Sequence, residues 1–286
     1  MKMITKGDQY FIETINKILK EGSLDKNPRP HYADGTPAHT FSINHVMHTY
    51  DLSRGEFPII TLRPMYTKKA IGEILWIYQD QSNDLDILKD KYNCSVWDEW
   101  DLGNRTIGSC YGETVRKHNL MNNLLTGLKK NPDGRRHIIN LWQEDDFLLP
   151  HGLKPCAFQT IWNVRHDANN VDFLDMTLIQ RSSDFCTAGC WNQLQYTALL
   201  YMVAQHCNYQ VGKFTWFCAN VQIYDRHVEQ AKEMISRTPI ECSPSFWLNP
   251  NINNFYDFTI EDIKVIDYPI EKIKENNPQI KFEIGI

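Results

Sequence analysis

No stretch of the chain approaches the ~18 consecutive apolar residues that a membrane span needs. The N-terminal MKMITKGDQYF has one short basic patch and no apolar core, so it does not read as a secretory leader. A strong excess of either sign of charge is missing as well. Thirty basic residues against 35 acidic ones leave a net charge of −5, which argues against a general nucleic-acid binder. An anionic ligand would therefore need its cations gathered locally. The eight cysteines include no Cys-x-x-Cys pair, and Cys186-x-x-x-Cys190 lacks the second pair or nearby His of a zinc site. Without a leader, reduced thiols, a cytoplasmic location and no bound metal are the expectation. Repeats, low-complexity segments and a clear linker are absent too. The 286 residues, 42% of them apolar, then read as one α+β domain over 1–286 with a full core.

What is present is periodic. Phe11, Ile12, Ile15, Ile18 and Leu19 predict a helix over Asp8 to Glu21, closed by Gly22. Residues 27–37, rich in Pro, Gly and Asp, read as a loop, and Phe41 to Leu52 as a strand. Lys68 to Tyr78 is helical in pattern, and Ser82 or Asn83 can cap a short helix to about Asp90. Val115, Leu120, Leu124 and Leu128 predict one helix over Gly112 to Lys130, ended by the turn Asn131-Pro132-Asp133-Gly134. His137 to Trp142, Phe158 to Val164, Val171 to Ile179 and Phe214 to Ile223 read as strands. Trp191 to Cys207, apolar and free of Gly and Pro, reads as a buried helix.

Chemistry concentrates in a few segments. Cys156 follows Pro155 between a Gly-containing loop and a strand, a place where a side chain is held in position. A lone Cys is ordinarily a small buried apolar group; a nucleophilic one needs nearby cations to lower its pKa. Arg135-Arg136 and Gln180-Arg181-Ser182-Ser183-Asp184 can supply them. Paired arginines are commonly a solvated face, but these two lead into an apolar strand, so an anion site competes with that reading. Glu73 lies in an otherwise apolar helix and needs either a buried partner or a function.

Taken in order, these segments resemble the thymidylate synthase family over nearly the whole chain. The matching blocks are Asp34-Gly35-Thr36, Phe57-Pro58, Gly72-Glu73-Ile74-Leu75-Trp76, Trp97-Asp98-Glu99-Trp100 and Ile107-Gly108-Ser109-Cys110-Tyr111-Gly112. Arg135-Arg136-His137, Pro155-Cys156, Gln180 to Asp184, Trp191-Asn192, Ile223-Tyr224 with His227, and Phe255 to Phe258 follow in the family order. Each block alone is weak evidence; the ordered set is strong.

The resemblance implies an α+β fold around a large mixed sheet, and a homodimer with shared active sites whose sheets pack face to face. It also implies the substrates, a pyrimidine deoxynucleotide and 5,10-methylenetetrahydrofolate, with no role for nucleic acid or membrane. Cys156 would add to C6 of the pyrimidine, Glu73 would organise water and proton transfer, and Tyr111 would assist loss of the C5 proton. Arg29, Arg181 and Ser182, with Arg135 and Arg136 from the other subunit, would hold the 5′-phosphate. Asn192 would read the base, while Gln222 and Tyr224 would lie at the nucleotide, Tyr224 on the ribose hydroxyl. Trp97, Leu153, Asp184, Ala188, Trp191, Arg63 and the terminal Ile286 would surround the folate, with Asp184 on its pterin and Arg63 at its glutamate carboxylate.

Departures from the family pattern cluster near the folate. Where members usually carry Leu-Gly-x-Pro-Phe-Asn, this chain has Thr187-Ala188-Gly189-Cys190-Trp191-Asn192. Gln222 replaces a His, Asn220 replaces an Asp, and Arg63 replaces a Lys. Three functions remain open on sequence: a thymidylate synthase, a pyrimidine 5-hydroxymethylase in which water captures the transferred carbon, and a noncatalytic relative that binds nucleotide or RNA. Trp97, Leu153 and an apolar terminus favour the first because they exclude water; the altered 187–191 segment keeps the second alive.

Overall fold

The computed structural model describes residues 4–285, so the closing role expected of Ile286 lies outside the described residues. The chain opens with α1 (Lys6–Glu21) and the short β1 (Ser23–Leu24), then crosses the molecule as β2 (Thr40–Asp51). Four helices follow: α2 (Thr67–Tyr78), α3 (Leu85–Tyr92), α4 (Gly112–Lys117) and α5 (Leu120–Lys130). Next come β3 (His137–Asn140), β4 (Ala157–His166), β5 (Asp172–Asp184), α6 (Cys190–Cys207) and β6 (Gln210–Tyr224). The last elements are α7 (Val228–Ser236), a small ribbon of β7 (Ser245–Leu248) and β8 (Ile263–Ile266), and α8 (Ile270–Asn276).

Six strands form one mixed sheet in the order β1-β2-β6-β5-β4-β3. Only β5 and β6 run parallel, and α6 is the crossover between them. That pairing aligns Ser182 with Asn220 and Asp184 with Gln222, so the ends of both strands and the start of α6 meet in one place. The connection from α6 to β6 is two residues, Asn208 and Tyr209, with Asn208 left-handed at φ 61°.

Alternation along the strands sorts the sheet into two faces. Tyr50, His48, Phe214, Trp216, Met176, Leu178 and Trp162 point into the core beneath α1 and α6. The other face carries Met47, Phe217, Ile179, Ile161 and Ile138 in neighbouring strands, with Met47 63% exposed. Helix α6 is apolar on every side because it packs on the sheet, α2 and α5.

Three local expectations change. The predicted helix from Gly112 to Lys130 is two helices, because Asn119 adopts a left-handed conformation (φ 50°, ψ 36°) that stops α4 and caps α5. Gly22 closes α1 at φ −61°, so its missing side chain is explained by close approach: a Cβ there would sit 2.4 Å from the Ile18 carbonyl oxygen. Strand β5 runs to Asp184, five residues past the apolar stretch. Its polar end pairs with the polar end of β6.

Candidate active site

Cys156 stands one residue before β4, at the point where β4 slips register against β5 between Ala157 and Gln159. Bulges of this kind re-aim a chain locally. The Arg181 backbone N–H donates to the Cys156 carbonyl at 2.9 Å. The Arg181 guanidinium donates to the carbonyls of Pro155 (3.0 Å) and Lys154 (2.9 Å), fastening the loop that presents the thiol. Dense surroundings push the Cys156 pKa up, while the charges of Arg181 and then Arg29 pull it down. Arg29, though exposed on its loop, is thus brought to the same thiol, and its charge also acts on Tyr224.

Tyr111 receives the Cys156 backbone N–H on its hydroxyl oxygen at 3.1 Å. Its backbone has φ 49° and ψ −109°, a strained conformation for a bulky residue, at the entry to α4. The Tyr111 ring meets the Trp97 ring edge-on at 4.9 Å. Trp97 Nε1–H donates to Glu73 Oε1 at 2.9 Å, and Trp191 Nε1–H donates to Glu73 Oε2 at 2.8 Å. Glu73 is 5% exposed in the middle of α2, and burial raises its pKa against these donors.

A second relay fixes Asn192. The Trp216 indole N–H donates to Gln180 Oε1 (2.9 Å), Gln180 Nε2 donates to Asn192 Oδ1 (3.0 Å), and Asn192 Nδ2 donates to Gln195 Oε1 (3.0 Å). An indole nitrogen can only donate, so the orientation of every amide in the chain follows from Trp216. Gln195 Nε2 has no hydrogen-bond partner and faces Glu73, lowering its pKa from a distance. In the sequence Gln180 stands out only as part of its motif, without a role of its own, and Gln195 does not stand out; the hint for Gln195 is its place one helical turn after Asn192.

At the ends of β5 and β6, Gln222 Nε2 donates to Ser182 Oγ at 3.2 Å. Tyr224, its pKa pushed up to about 12 by burial, donates to the Gly285 carbonyl at 3.4 Å. Asp184 accepts from Thr187 Oγ1 at 2.6 Å through Oδ2, while its buried Oδ1 has no partner and lies 3.9 Å from His227 Nδ1. Burial raises the Asp184 pKa. An orphaned acceptor at that position fits a ligand bearing N–H donors, as a pterin does.

The chain's end is clipped to this rim. Arg226 Nη1 reaches both Glu283 carboxylate oxygens at 3.0 Å, and its Nη2 donates to Asp34 (2.8 Å) and Thr36 (2.6 Å). The guanidinium also stacks 3.9 Å above the Tyr32 ring, and His227 Nε2–H donates to the Glu283 carbonyl at 2.6 Å.

Three expected residues lie apart from Cys156. Arg135 and Arg136 are exposed on the turn before β3, without an ion pair among the described residues. Arg63, expected at a folate carboxylate, is 7% exposed and turned onto backbone. Its Nη2 donates to the carbonyls of Cys186 (3.1 Å) and Thr187 (3.3 Å), which braces the π-helical turn Phe185–Gly189 that carries Ala188. Leu153 and Trp191 are partly buried against the core.

A family profile described as thymidylate synthase matches residues 9–284. The chain belongs to the thymidylate synthase family. It is 47% identical over 284 residues to a thymidylate synthase of Lactococcus lactis subsp. cremoris, covering 99% of this chain and 100% of the relative. It is equally 47% identical over 285 residues to a thymidylate synthase of Streptococcus pneumoniae, with the same coverage. The solved structure of the thermostable thymidylate synthase A from Bacillus subtilis superposes with a TM-score of 0.87 at 33% identity, covering 98% of this chain and 99% of that one. The α+β fold with its mixed sheet is therefore a thymidylate synthase fold.

Proposed function

We propose that this chain converts deoxyuridylate to thymidylate, taking both the carbon and the hydride from 5,10-methylenetetrahydrofolate and releasing dihydrofolate. The observation that carries the reading is one unbroken set of contacts: Arg181–Cys156–Tyr111–Trp97–Glu73–Trp191, with the Asn192 relay entering beside Glu73. A nucleophile just before β4, a proton handler on α2 and a base reader on α6 stand together. Full-length likeness to enzymes named thymidylate synthase favours methylation over hydroxymethylation.

The roles follow from the chemistry each group can do. The Cys156 thiolate adds to C6 of the uracil, which leaves C5 electron-rich. Arg181, Arg29 and Ser182 bind the 5′-phosphate, with Arg135 and Arg136 contributed by a second subunit, and the same cations favour the thiolate. Asn192 Oδ1 and Nδ2 match the N3–H and O4 of uracil. Gln222 and Tyr224 border the ribose. Glu73 handles protons through bound water, and the Tyr111 hydroxyl assists removal of the C5 proton to water. Folate supplies the carbon and the hydride; Asp184 takes a pterin N–H, while Trp97, Leu153, Ala188, Trp191 and the terminal Ile286 keep water away.

The finer assembly belongs to the same proposal. The outer sheet face with Met47, Phe217, Ile179, Ile161 and Ile138 is too apolar to be left in water, and a second copy of the chain is the occupant that also brings Arg135 and Arg136 to a phosphate. Among the described residues no helix is long and apolar enough to cross a membrane. The unpaired cysteines suit the reducing cytoplasm.

Mass spectrometry of the nucleotide product, with absorbance tracking of dihydrofolate, tests the reading. Thymidylate and dihydrofolate in equal amounts are expected. Mainly 5-hydroxymethyldeoxyuridylate without dihydrofolate would replace it with the hydroxymethylase.

A further inference from the structure

We propose that Trp191 is a positioning residue for Glu73: its indole N–H locks the second carboxylate oxygen, so that both oxygens of the ionised group are fixed by indole donors. The inference rests on the reading of Glu73 as the proton-handling group. Trp191 itself was expected only as a wall of the folate pocket.

The geometry involves three separate elements. Glu73 comes from the middle of α2, Trp97 from the loop after α3, and Trp191 from the second position of α6, directly after the π-helical turn. The two indoles take one oxygen each, at 2.9 and 2.8 Å. A Phe at position 191 would fill much the same space and donate nothing. In this chain the larger ring therefore adds a hydrogen bond to a buried carboxylate, beyond any change in the shape of the pocket.

An indole nitrogen cannot accept a hydrogen bond. A protonated Glu73 can donate to neither Trp97 nor Trp191, and its O–H has to turn away from both. The remaining polar neighbour is Gln195, whose Oε1 already accepts from Asn192 and whose Nε2 is without a partner. That amide nitrogen is a donor as well, so each side chain set against the carboxylate offers an N–H and favours the ionised form. Loss of the Trp191 N–H would free Oε2 to take up a proton.

The same contact affects when Glu73 ionises. Burial raises its pKa, and the Trp191 and Trp97 donors oppose this because hydrogen bonds to a charged acceptor are the stronger kind. The other titratable groups that sense Glu73 are Cys94 and Tyr196, both pushed up by burial, Cys94 to about 11, so they stay neutral around Glu73's titration. Tyr78, bonded to Tyr196, and Tyr111, against Trp97, are raised as well. Among the described residues no cation forms an ion pair with Glu73. The sign is then set: removing a donor from a carboxylate raises its pKa, and the ionised fraction is lost at a higher pH.

The test uses nitrogen-15 resonances of the indole N–H groups together with turnover. In the wild-type protein the Trp97 and Trp191 signals should titrate with one common midpoint, that of Glu73. In Trp191→Phe one signal disappears, and the Trp97 midpoint should rise by about one pH unit, the scale of one charge-assisted hydrogen bond. The acid limb of kcat should move with it, lowering kcat about tenfold below both midpoints and little above them, with KM for folate nearly unchanged. Separate midpoints in the wild type, or an unmoved Trp97 midpoint in the variant, would overturn the proposal. A raised folate KM with an unmoved kcat profile would also overturn it and return Trp191 to the pocket wall. Glu73→Gln separates the two layers. Full turnover in that variant would sink the role of Glu73, whereas a dead Glu73→Gln beside an unmoved Trp191→Phe profile would sink Trp191 alone.

Discussion

Replacing Arg181 by Met removes a charge while keeping a long side chain, and the structure sets how much that should matter at Cys156. Arg181 is the larger of the two cationic influences on the thiol, and burial otherwise raises the pKa. At an effective dielectric of about 20, a charge on the order of 6 Å away is worth roughly 3 kcal/mol, or about two pKa units before screening. Partial solvent access at Cys156 reduces this to about one unit. The sign is upward, so at pH 7.5 the thiolate fraction falls about tenfold. The remaining thiolate is more basic and more nucleophilic, which returns about a factor of three. Alkylation by iodoacetamide at pH 7.5 should therefore slow only about three- to fourfold, read by mass spectrometry of the Cys156 peptide. Releasing the loop from its bonds to Pro155 and Lys154 can also change access, so the labelling rate is followed across pH. Access alters the plateau; ionisation alters the midpoint. A midpoint that does not rise by at least half a unit would refute the electrostatic role.

Cys156→Ala should abolish turnover, by several orders of magnitude, while nucleotide binding and the thermal midpoint stay nearly unchanged, since the thiol acts as a nucleophile; purified protein free of host enzyme is assayed by dihydrofolate absorbance. Asn192→Asp should lose roughly tenfold or more against deoxyuridylate and gain against deoxycytidylate, because an oxygen replaces the Nδ2 donor while Gln180 still holds Oδ1; competition between the two nucleotides measures it. Inactive Cys156→Ala and Arg136→Glu chains, mixed and allowed to exchange, should recover up to about a quarter of wild-type activity if Arg136 serves the partner's site, because half the chains form mixed dimers with one intact site each. No recovery despite demonstrated mixed dimers would place Arg136 elsewhere.

Helix α2 was readable from the spacing of its apolar residues despite Gly72, and α6 from an apolar run free of Gly and Pro, because such signals act within one segment. The break at Asn119 was not, since nothing in that stretch is a conventional breaker; the five-residue gap from Val115 to Leu120, too long for one face of a helix, was the only trace. The end of β5 was missed for a different reason. Gln180 to Asp184 is polar because it lines the site, and a polar run hides a strand whose pairing comes from distant β6. The ribbon of β7 and β8, together with α7 and α8, went unassigned because short elements take their shape from what they pack on. Among site residues, identity was legible from ordered motifs, whereas direction was not. That Trp191 aims its nitrogen at Glu73, or that Arg63 turns onto the carbonyls of Cys186 and Thr187, depends on where two distant segments come to rest.

The parallel pairing of β5 with β6 gives the enzyme something like a reading frame in space. Gln222 and Tyr224, proposed to border the nucleotide, hold their register beside the end of β5 because β6 starts a fixed number of residues after α6, across the two-residue joint of Asn208 and Tyr209. Deleting one residue of that joint would leave each catalytic side chain chemically intact, yet shift β6 by one position against β5 and turn its side chains to the opposite face. Gln222 and Tyr224 would then lie against the wrong layer, and Trp216 would no longer meet Gln180. Surface loops elsewhere can lengthen at little cost. Here a change of length at a joint far along the chain from Tyr224 would act on the site like the loss of several of its members at once.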